Sequence, residues 1–300
     1  SDFVRQQDTI CDFSTSDSWV ILSPIEQSIK KKIEAVGTPL KDWDIQINYG
    51  IKTGCNEAFI ISTEKRKEIL DNCQTEDERK RTAELIRPIL RGRDIKRYGY
   101  VDNGLFLINT HNGIRNKLPR IDINDYPAVK THLDQYWDRI STRADKGDTP
   151  YNLRNCAYLE DFSKPKVVYM EIQTDNPEEG YPFPCYSYDD NRCIVLNTAY
   201  IMSSETTDPR YVLGILNSRL GKFLVKLYVI QLQERQFRML SQYVMNFPIA
   251  HPTKEQENEM IHLVQDVLVH QSLASEKRID NLAFQIYGLT EIEIKSLISR

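Results

Sequence analysis

Long apolar runs are absent from this chain of 300 residues. None approaches the roughly 20 residues that a membrane-spanning helix needs, and no basic, apolar and small-residue leader opens it. Cysteine is sparse. Cys11, Cys55, Cys73, Cys156, Cys185 and Cys193 include no C-x-x-C pair, which speaks against a disulfide-stapled mini-fold and for reduced thiols in a cytoplasm. The five histidines are scattered, with no His/Cys spacing suited to zinc. No glycine-rich loop follows an early strand, so no site for S-adenosylmethionine is expected here. Lys52-Thr53 stands before the last glycine of its turn and no helix is expected after it, which excludes a P-loop.

Two look-alikes of catalytic motifs have plainer explanations. Asp208-Pro209-Arg210-Tyr211 imitates the D-P-P-Y box of amino-methyltransferases, but its third residue is arginine. It stands where a helix starts, and a capping aspartate followed by a first-turn proline accounts for it. Asp280 with Glu293 and Lys295 imitates the carboxylate–lysine set of a metal-dependent nuclease, yet these residues lie on capped amphipathic helices. No Ser/His/Asp or Cys/His set has supporting context; Cys156 lies beside Asn155 with no histidine near it in sequence.

What is present describes a globular protein. Hydrophobic residues make up 40% and charged residues 27%, enough for a large core and two structural units. The chain opens on serine, not methionine, and its first residues are polar. An excised piece of a longer polypeptide is therefore expected, with 1–18 a linker from a missing upstream catalytic domain. The net charge of −4 excludes a uniformly basic nucleic-acid binder, but the charge is uneven. Arg79, Lys80, Arg81, Arg87, Arg91, Arg93, Lys96 and Arg97 face only Glu84 and Asp94. Arg219, Lys222, Lys226, Arg235 and Arg238 face only Glu234, whereas residues 253–300 are acidic. A basic middle and an acidic tail suit one face meeting a polyanion; solvated helix faces would look the same.

Periodicity and capping signals place the elements. Ser23-Pro24-Ile25-Glu26 is a capping box with proline at the first helical position, and Ile25, Ile29, Ile33 and Val36 share a face that Gly37 ends. Residues 19–22, 44–49, 57–62, 104–110, 167–172 and 193–198 read as strands. Residues 63–72 and 75–90 read as helices, the second capped by Thr75 and Glu78. A helix opening at Tyr126-Pro127 would turn Val129, Leu133, Tyr136, Trp137 and Ile140 inward. One long helix is expected over 211–228, then a polar segment at 231–236 and a linker punctuated by Pro248 and Pro252. Helices start again at Thr253 and Thr290, each with a capping box.

The polar centre of the chain is 145–172. Gly147 and Pro150 break any helix, and Tyr151, Asn152, Arg154, Asn155 and Tyr158 crowd together. Lys164-Pro165-Lys166 then opens an apolar run. Bidentate donors on loops carried by a strand suit the reading of polar edges; an ordinary surface loop remains the alternative. The turn bearing Lys52, Thr53 and Asn56 offers donors to a phosphate or a base. Around Gly92, guanidinium and ammonium groups cluster where the backbone permits close approach.

Several stretches, taken in order, resemble one family. Residues 50–60 are similar to the G-I-K-T-G-x-N-E-A-F-I opening motif of the TaqI-like specificity domain. That domain is the C-terminal target-recognition part of type IIG restriction-modification enzymes and related adenine-specific DNA methyltransferases. Residues 90–98 resemble its L-R-G-R-D-I-K-R-Y motif, 145–158 its D-K-G-x-T-P-Y-x-L-R-x-C-x-Y, and 162–168 its F-x-K-P-K-I/V element. Residues 213–220 resemble its L-L-x-I-L-N-S-x-L helix, and 279–290 its closing I-D-x-L-x-x-x-L/I-Y-G-L-T. The family's N-P-P-Y box, cofactor loop and nuclease part are missing from this sequence.

The resemblance implies an α+β fold: a mixed or antiparallel sheet with flanking helices over 19–249, then a helical tail over 253–300. It implies a module that recognises double-stranded DNA and has no chemistry of its own. It would work with the catalytic methyltransferase domain of the same polypeptide, which would bind S-adenosylmethionine and any Mg2+. Lys52, Arg91, Arg93, Lys96, Arg97, Lys146, Lys164 and Lys166 are the phosphate candidates. Arg143, Asn152, Arg154, Gln233, Arg235 and Gln236 are the base-edge candidates, with Thr53 and Asn56 as further donors. The alternatives are a protein-interaction scaffold, a specificity subunit serving a separate methyltransferase chain, or a nuclease built on Asp280 and Glu293.

Overall fold

The computed structural model describes residues 22–176, 182–233 and 235–299. The linker expected at 1–18 and most of the strand expected at 19–22 lie outside the described residues. Ser23 caps α1 (Pro24–Val36), and Glu26 returns the bond to the Ser23 N–H at 2.7 Å. Then follow β1 (Gly37–Pro39), β2 (Gln46–Tyr49), α2 (Asn56–Phe59), β3 (Ile60–Ser62), α3 (Thr63–Asp71), α4 (Glu76–Leu85), β4 (Ile86–Leu90) and β5 (Leu105–Ile108). Next come α5 (Pro127–Asp134), α6 (Trp137–Ile140), β6 (Lys166–Met170), β7 (Ile172–Thr174), β8 (Tyr186–Asp189), β9 (Ile194–Val195) and β10 (Ala199–Ser203). The chain continues through α7 (Pro209–Asn217), α8 (Arg219–Tyr228), β11 (Gln231–Gln233), β12 (Gln236–Arg238), α9 (Ser241–Val244) and β13 (Pro248–Ala250). It closes with α10 (Lys254–His270), α11 (Leu273–Ile286) and α12 (Glu291–Ile298). The fold is α+β, as the sequence implied.

An antiparallel sheet of order β2-β10-β6-β8 divides two hydrophobic cores. Successive side chains on a strand point to opposite faces, and these strands use both. Val167, Tyr169, Tyr200 and Met202 pack with α1, α7, α8 and the tail helices. Val168, Ala199 and Ile201 face Phe59, Ile89, Leu107 and Val129 on the other side. Tyr169 stacks on Tyr200, with ring centroids 5.3 Å apart. A second sheet, β3-β5-β4-β9, closes the far core, and β11-β12-β7 forms a small separate ribbon.

Several sequence expectations give way to tertiary contacts. Residues 57–62 begin as the helical turn α2, not as a strand, so a short helix does follow the Lys52-Thr53 turn. His132 bonds to the Ala58 carbonyl and holds that turn at 2.9 Å. The helix expected to run to residue 90 stops at Leu85, because the next residues pair with β5. The helix expected over 211–228 is two: Ser218 is extended (φ −70°, ψ 170°) and recaps the chain through the Gly221 N–H at 3.2 Å. Trp137 is exposed instead of core, because the helix breaks at 135–136 and its phase is lost. Pro248 belongs to a strand, not a linker: β13 pairs with β1, and the Tyr287 hydroxyl bonds to both the Pro248 carbonyl and the Ala250 N–H. The strand expected over 193–198 is reduced to β9.

The tail packs closely. A Cβ on Gly214 would stand 2.3 Å from the Met260 sulfur, so only glycine lets α7 and α10 approach. Glu293 joins α12 to α1. Burial alone would raise its carboxyl, but Lys32 at 2.7 Å, the Thr290 N–H and the Ser28 hydroxyl outweigh this and hold its pKa at about 2. The folded value lies below the ordinary 4.5. The stabilisation is therefore complete above that ordinary value and is lost as pH falls toward the folded one. Urea midpoints taken at pH 6 and pH 2.5 should show wild type losing on the order of 2 kcal/mol more than Glu293→Gln. Equal losses would remove this pair from the acid response.

Candidate nucleic-acid interface

The corner 195–199, between β9 and β10, ties remote motifs together. The Ile51 N–H bonds to the Val195 carbonyl at 2.8 Å, and the Asn197 N–H bonds back to the Ile51 carbonyl at 3.0 Å. A Cβ on Gly50 would lie 2.2 Å from the Leu196 carbonyl oxygen, so the first glycine of this turn is required by close approach. The Leu196 N–H bonds to the Leu90 carbonyl, and the Gly92 N–H bonds to the Thr198 hydroxyl at 2.9 Å. The Thr198 carbonyl accepts from the Glu171 N–H at 3.0 Å. Glu171 in turn holds Arg238, at the base of the β11–β12 hairpin, at 2.9 Å. Three stretches far apart in sequence thus meet within a few residues.

A buried guanidinium joins the 145–155 loop to the same corner. Arg143 donates to the carbonyls of Thr53 and Asp145 through Nη1, and to those of Pro150 and Asn152 through Nη2. Its plane lies 4.4 Å over the Phe59 ring. Burial pushes its pKa down to about 10, which still leaves it charged at neutral pH. Gly54, at φ +68°, brings its backbone against Asp145 beside it.

The sixteen candidates separate into three groups. Four are enclosed and corrected to structural roles. Arg143 is one. Thr53 is buried and bonds to Asn56 and to the Cys55 N–H. Asn152 is buried, with its amide on the Ile121 carbonyl at 3.0 Å. Lys166 is 0% exposed and paired with Asp189, so no phosphate reaches it. Three more are committed to carboxylates. Arg97 grips Glu276 at 2.7 Å and fastens the tail, Arg91 forks onto Asp94, and Lys164 pairs with Asp161 and Glu205 at the other end of β6 from Glu171. The rest are on the surface. Lys52 and Arg154 flank Asp145 at 3.0 and 3.5 Å, and Lys146 donates to the Ser141 carbonyl. Asn56, Arg93, Lys96, Gln233 and Arg235 are exposed, and Gln236 is partly so.

The hairpin is anchored through β12, which pairs with β7, and leaves β11 as an exposed edge strand. Gln231, Leu232 and Gln233 are all exposed, and Arg235 takes φ +62° in its turn. Sequence reading missed Asn197 and Arg139, which line a cavity of about 370 Å³ with Lys52 and Asn56. The run 193–198 looks like buried strand throughout, and nothing in it signals that its end turns outward. Among the described residues, no cluster of histidine, cysteine and carboxylate side chains could hold a metal. Asp280 is taken by Arg219, and Glu293 by α1. No helix among the described residues is long and apolar enough to cross a membrane.

The fold is shared with enzymes of restriction-modification systems. The type IIL enzyme MmeI, whose structure is described as a complex with DNA, superimposes with a TM-score of 0.59 at 15% identity, over 88% of this chain and 37% of that one. The type IIG endonuclease BpuSI does so with a TM-score of 0.51 at 13% identity, over 89% and 34%. In sequence, the chain is 23% identical to the type II methyltransferase M.BstVI of Geobacillus stearothermophilus, over 94% of this chain and 46% of that protein. It is 21% identical to M.BanIII of Aneurinibacillus aneurinilyticus, over 82% and 42%. It therefore spans less than half the length of these relatives. The model of the TaqI-like C-terminal specificity domain matches residues 87–249, more than half of the chain. The chain belongs to that family.

Proposed function

We propose that this chain reads sequence in duplex DNA for a larger type II enzyme that methylates adenine at N6. The observation that carries this reading is the 195–199 corner, where three remote loops meet with Lys52, Arg91 and Arg238 around them and the exposed strand and turn of the β11–β12 hairpin beside them. The DNA-bound state of the structural relative MmeI supports it. A ribbon of this width fits the major groove, where Arg and Gln can tell one base pair from another. Lys52, Arg93, Lys96 and Lys146 contact phosphates and set the register. Gln233, Arg235, Gln236 and Arg154 contact base edges. S-adenosylmethionine, and any Mg2+, would be held by the rest of the parent polypeptide, where the target base is flipped out.

Duplex affinity measured against salt tests the division of roles. Lys146→Ala should weaken every duplex alike and reduce the log–log salt slope by about 1. Arg235→Ala should cost about 1–3 kcal/mol on the preferred site and relax one base position. A slope near zero for wild type, or equal losses for both variants on all sequences, would end this reading.

A further inference from the structure

We propose that a cavity at the far end of β4 from the 195–199 corner binds a mononucleotide, with its phosphate on an arginine cluster and its base against a buried amide. This assignment does not rest on duplex recognition. Arg87 lines the cavity near the start of β4, and Arg91 stands just past its other end. Four residues of extended chain separate them by about 13 Å. This open cleft has a volume of about 370 Å³, within the range of small-molecule sites of about 300–1,000 Å³.

Its charge is unspent. Arg81, Arg87 and Arg192 line it, and among the described residues no ion pair ties any of them to a carboxylate. Carbonyls hold Arg81 and Arg87 instead. Arg87 Nη2 donates to the Arg192 and Phe162 carbonyls at 2.5 and 3.4 Å, and Arg81 donates to the Asp125 carbonyl at 3.1 Å. These bonds orient the guanidiniums without neutralising them. Burial and the neighbouring Arg192 lower the Arg87 pKa, a like-charge penalty that a bound anion would relieve.

The end of the neighbouring strand β5 suits a base. Asn109 is 5% exposed, lines the cavity, and its Oδ1 has no hydrogen-bond partner. A buried amide acceptor left unmet is costly, and a turn of the side chain toward the cavity would let an exocyclic amine meet it. An asparagine amide pairs naturally with adenine, which presents a donor beside an acceptor. His111 accepts from the Gly113 N–H through Nδ1, which leaves Nε2–H as the donor of the neutral ring. Tyr126, with Arg81 over its ring at 6.0 Å, and Leu118 and Ile121 supply flat and apolar surface. Two carboxylates stand on the rim. Lys117 already pairs with Glu160, and Glu84 remains to accept from sugar hydroxyls. That acid disfavours inorganic phosphate, which brings charge and no such hydroxyls.

Titration calorimetry of the 300-residue chain with adenosine 5′-monophosphate and with inorganic phosphate tests the assignment, with and without saturating duplex. Saturable binding of the nucleotide is expected, at least tenfold tighter than phosphate and unchanged by duplex. Arg192→Gln should weaken it at least tenfold. This variant keeps the backbone carbonyl that holds Arg87, and an unchanged thermal midpoint would show that it folds. Asn109→Leu, which removes the acceptor without adding charge, should weaken the nucleotide and leave phosphate within twofold. The absence of saturable nucleotide binding, equal affinity for the two ligands, or an Arg192→Gln variant that binds like wild type would overturn the assignment. Competition by duplex would overturn it too, since the phosphate would then come from the DNA backbone.

Discussion

Arg143→Ala is expected to cost about 3–5 kcal/mol, the largest single loss in the candidate interface, although Arg143 touches no solvent-facing ligand. Four carbonyls, on Thr53, Asp145, Pro150 and Asn152, share its two terminal nitrogens. Truncation leaves them without those donors in a site too enclosed for ready hydration, and it removes the plate that covers Phe59. Arg143→Lys should recover only part of the loss. An ammonium is a point donor, and it cannot reproduce a planar fork that spans both loops. Urea midpoints for the two variants, beside an exposed control such as Lys146→Ala, measure this. The control should stay within about 0.5 kcal/mol of wild type. Duplex affinity of Arg143→Ala should fall on every sequence, because Lys52 and Arg154 lose their common frame at Asp145. An alanine variant within about 1 kcal/mol of wild type would show that the loops hold without the guanidinium.

The second large effect lies at Lys166 and Asp189, paired at the start of β6 with neither side chain exposed. The two partners are not equally dispensable. Without Lys166, the Asp189 carboxylate keeps the Tyr100 hydroxyl at 3.0 Å and the Asn191 and Cys193 N–H groups at 3.2 and 3.0 Å. Without Asp189, the ammonium keeps only the Phe162 and Lys164 carbonyls. Asp189→Leu should therefore cost about 3–5 kcal/mol, and Lys166→Met clearly less, on the order of 2 kcal/mol. The order matters more than the sizes. If Lys166→Met were the worse of the two, the remaining donors around Asp189 would not be compensating it.

These two sites show where the sequence was legible and where it was not. Capping boxes at Ser23, Thr253 and Thr290 are local, involve three or four residues, and appear where expected. The α+β class followed from the family likeness. Strand pairing is non-local, so β8, β10 and the hairpin went unread, and Ile86–Leu90 was assigned by its neighbours in sequence instead of by β5. Site residues failed for a related reason. Arg143, Asn152 and Lys166 carry the right donors for DNA, but a donor's use depends on which carbonyls or carboxylates the fold brings to it. Gln233 and Arg235 sit in a polar stretch with no periodicity, and only the ribbon geometry explains their exposure.

The joinery at 195–199 bears on how such chains are compared with one another. Gly50, Gly92 and Arg143 are fixed by backbone crowding and by carbonyls, whatever stretch of double helix lies outside. Two chains can share all of these letters and still prefer different targets, while swapping side chains along an exposed ribbon leaves the joints untouched. If the ribbon reads base edges as proposed, new preferences can then arise at its tip with little risk to folding.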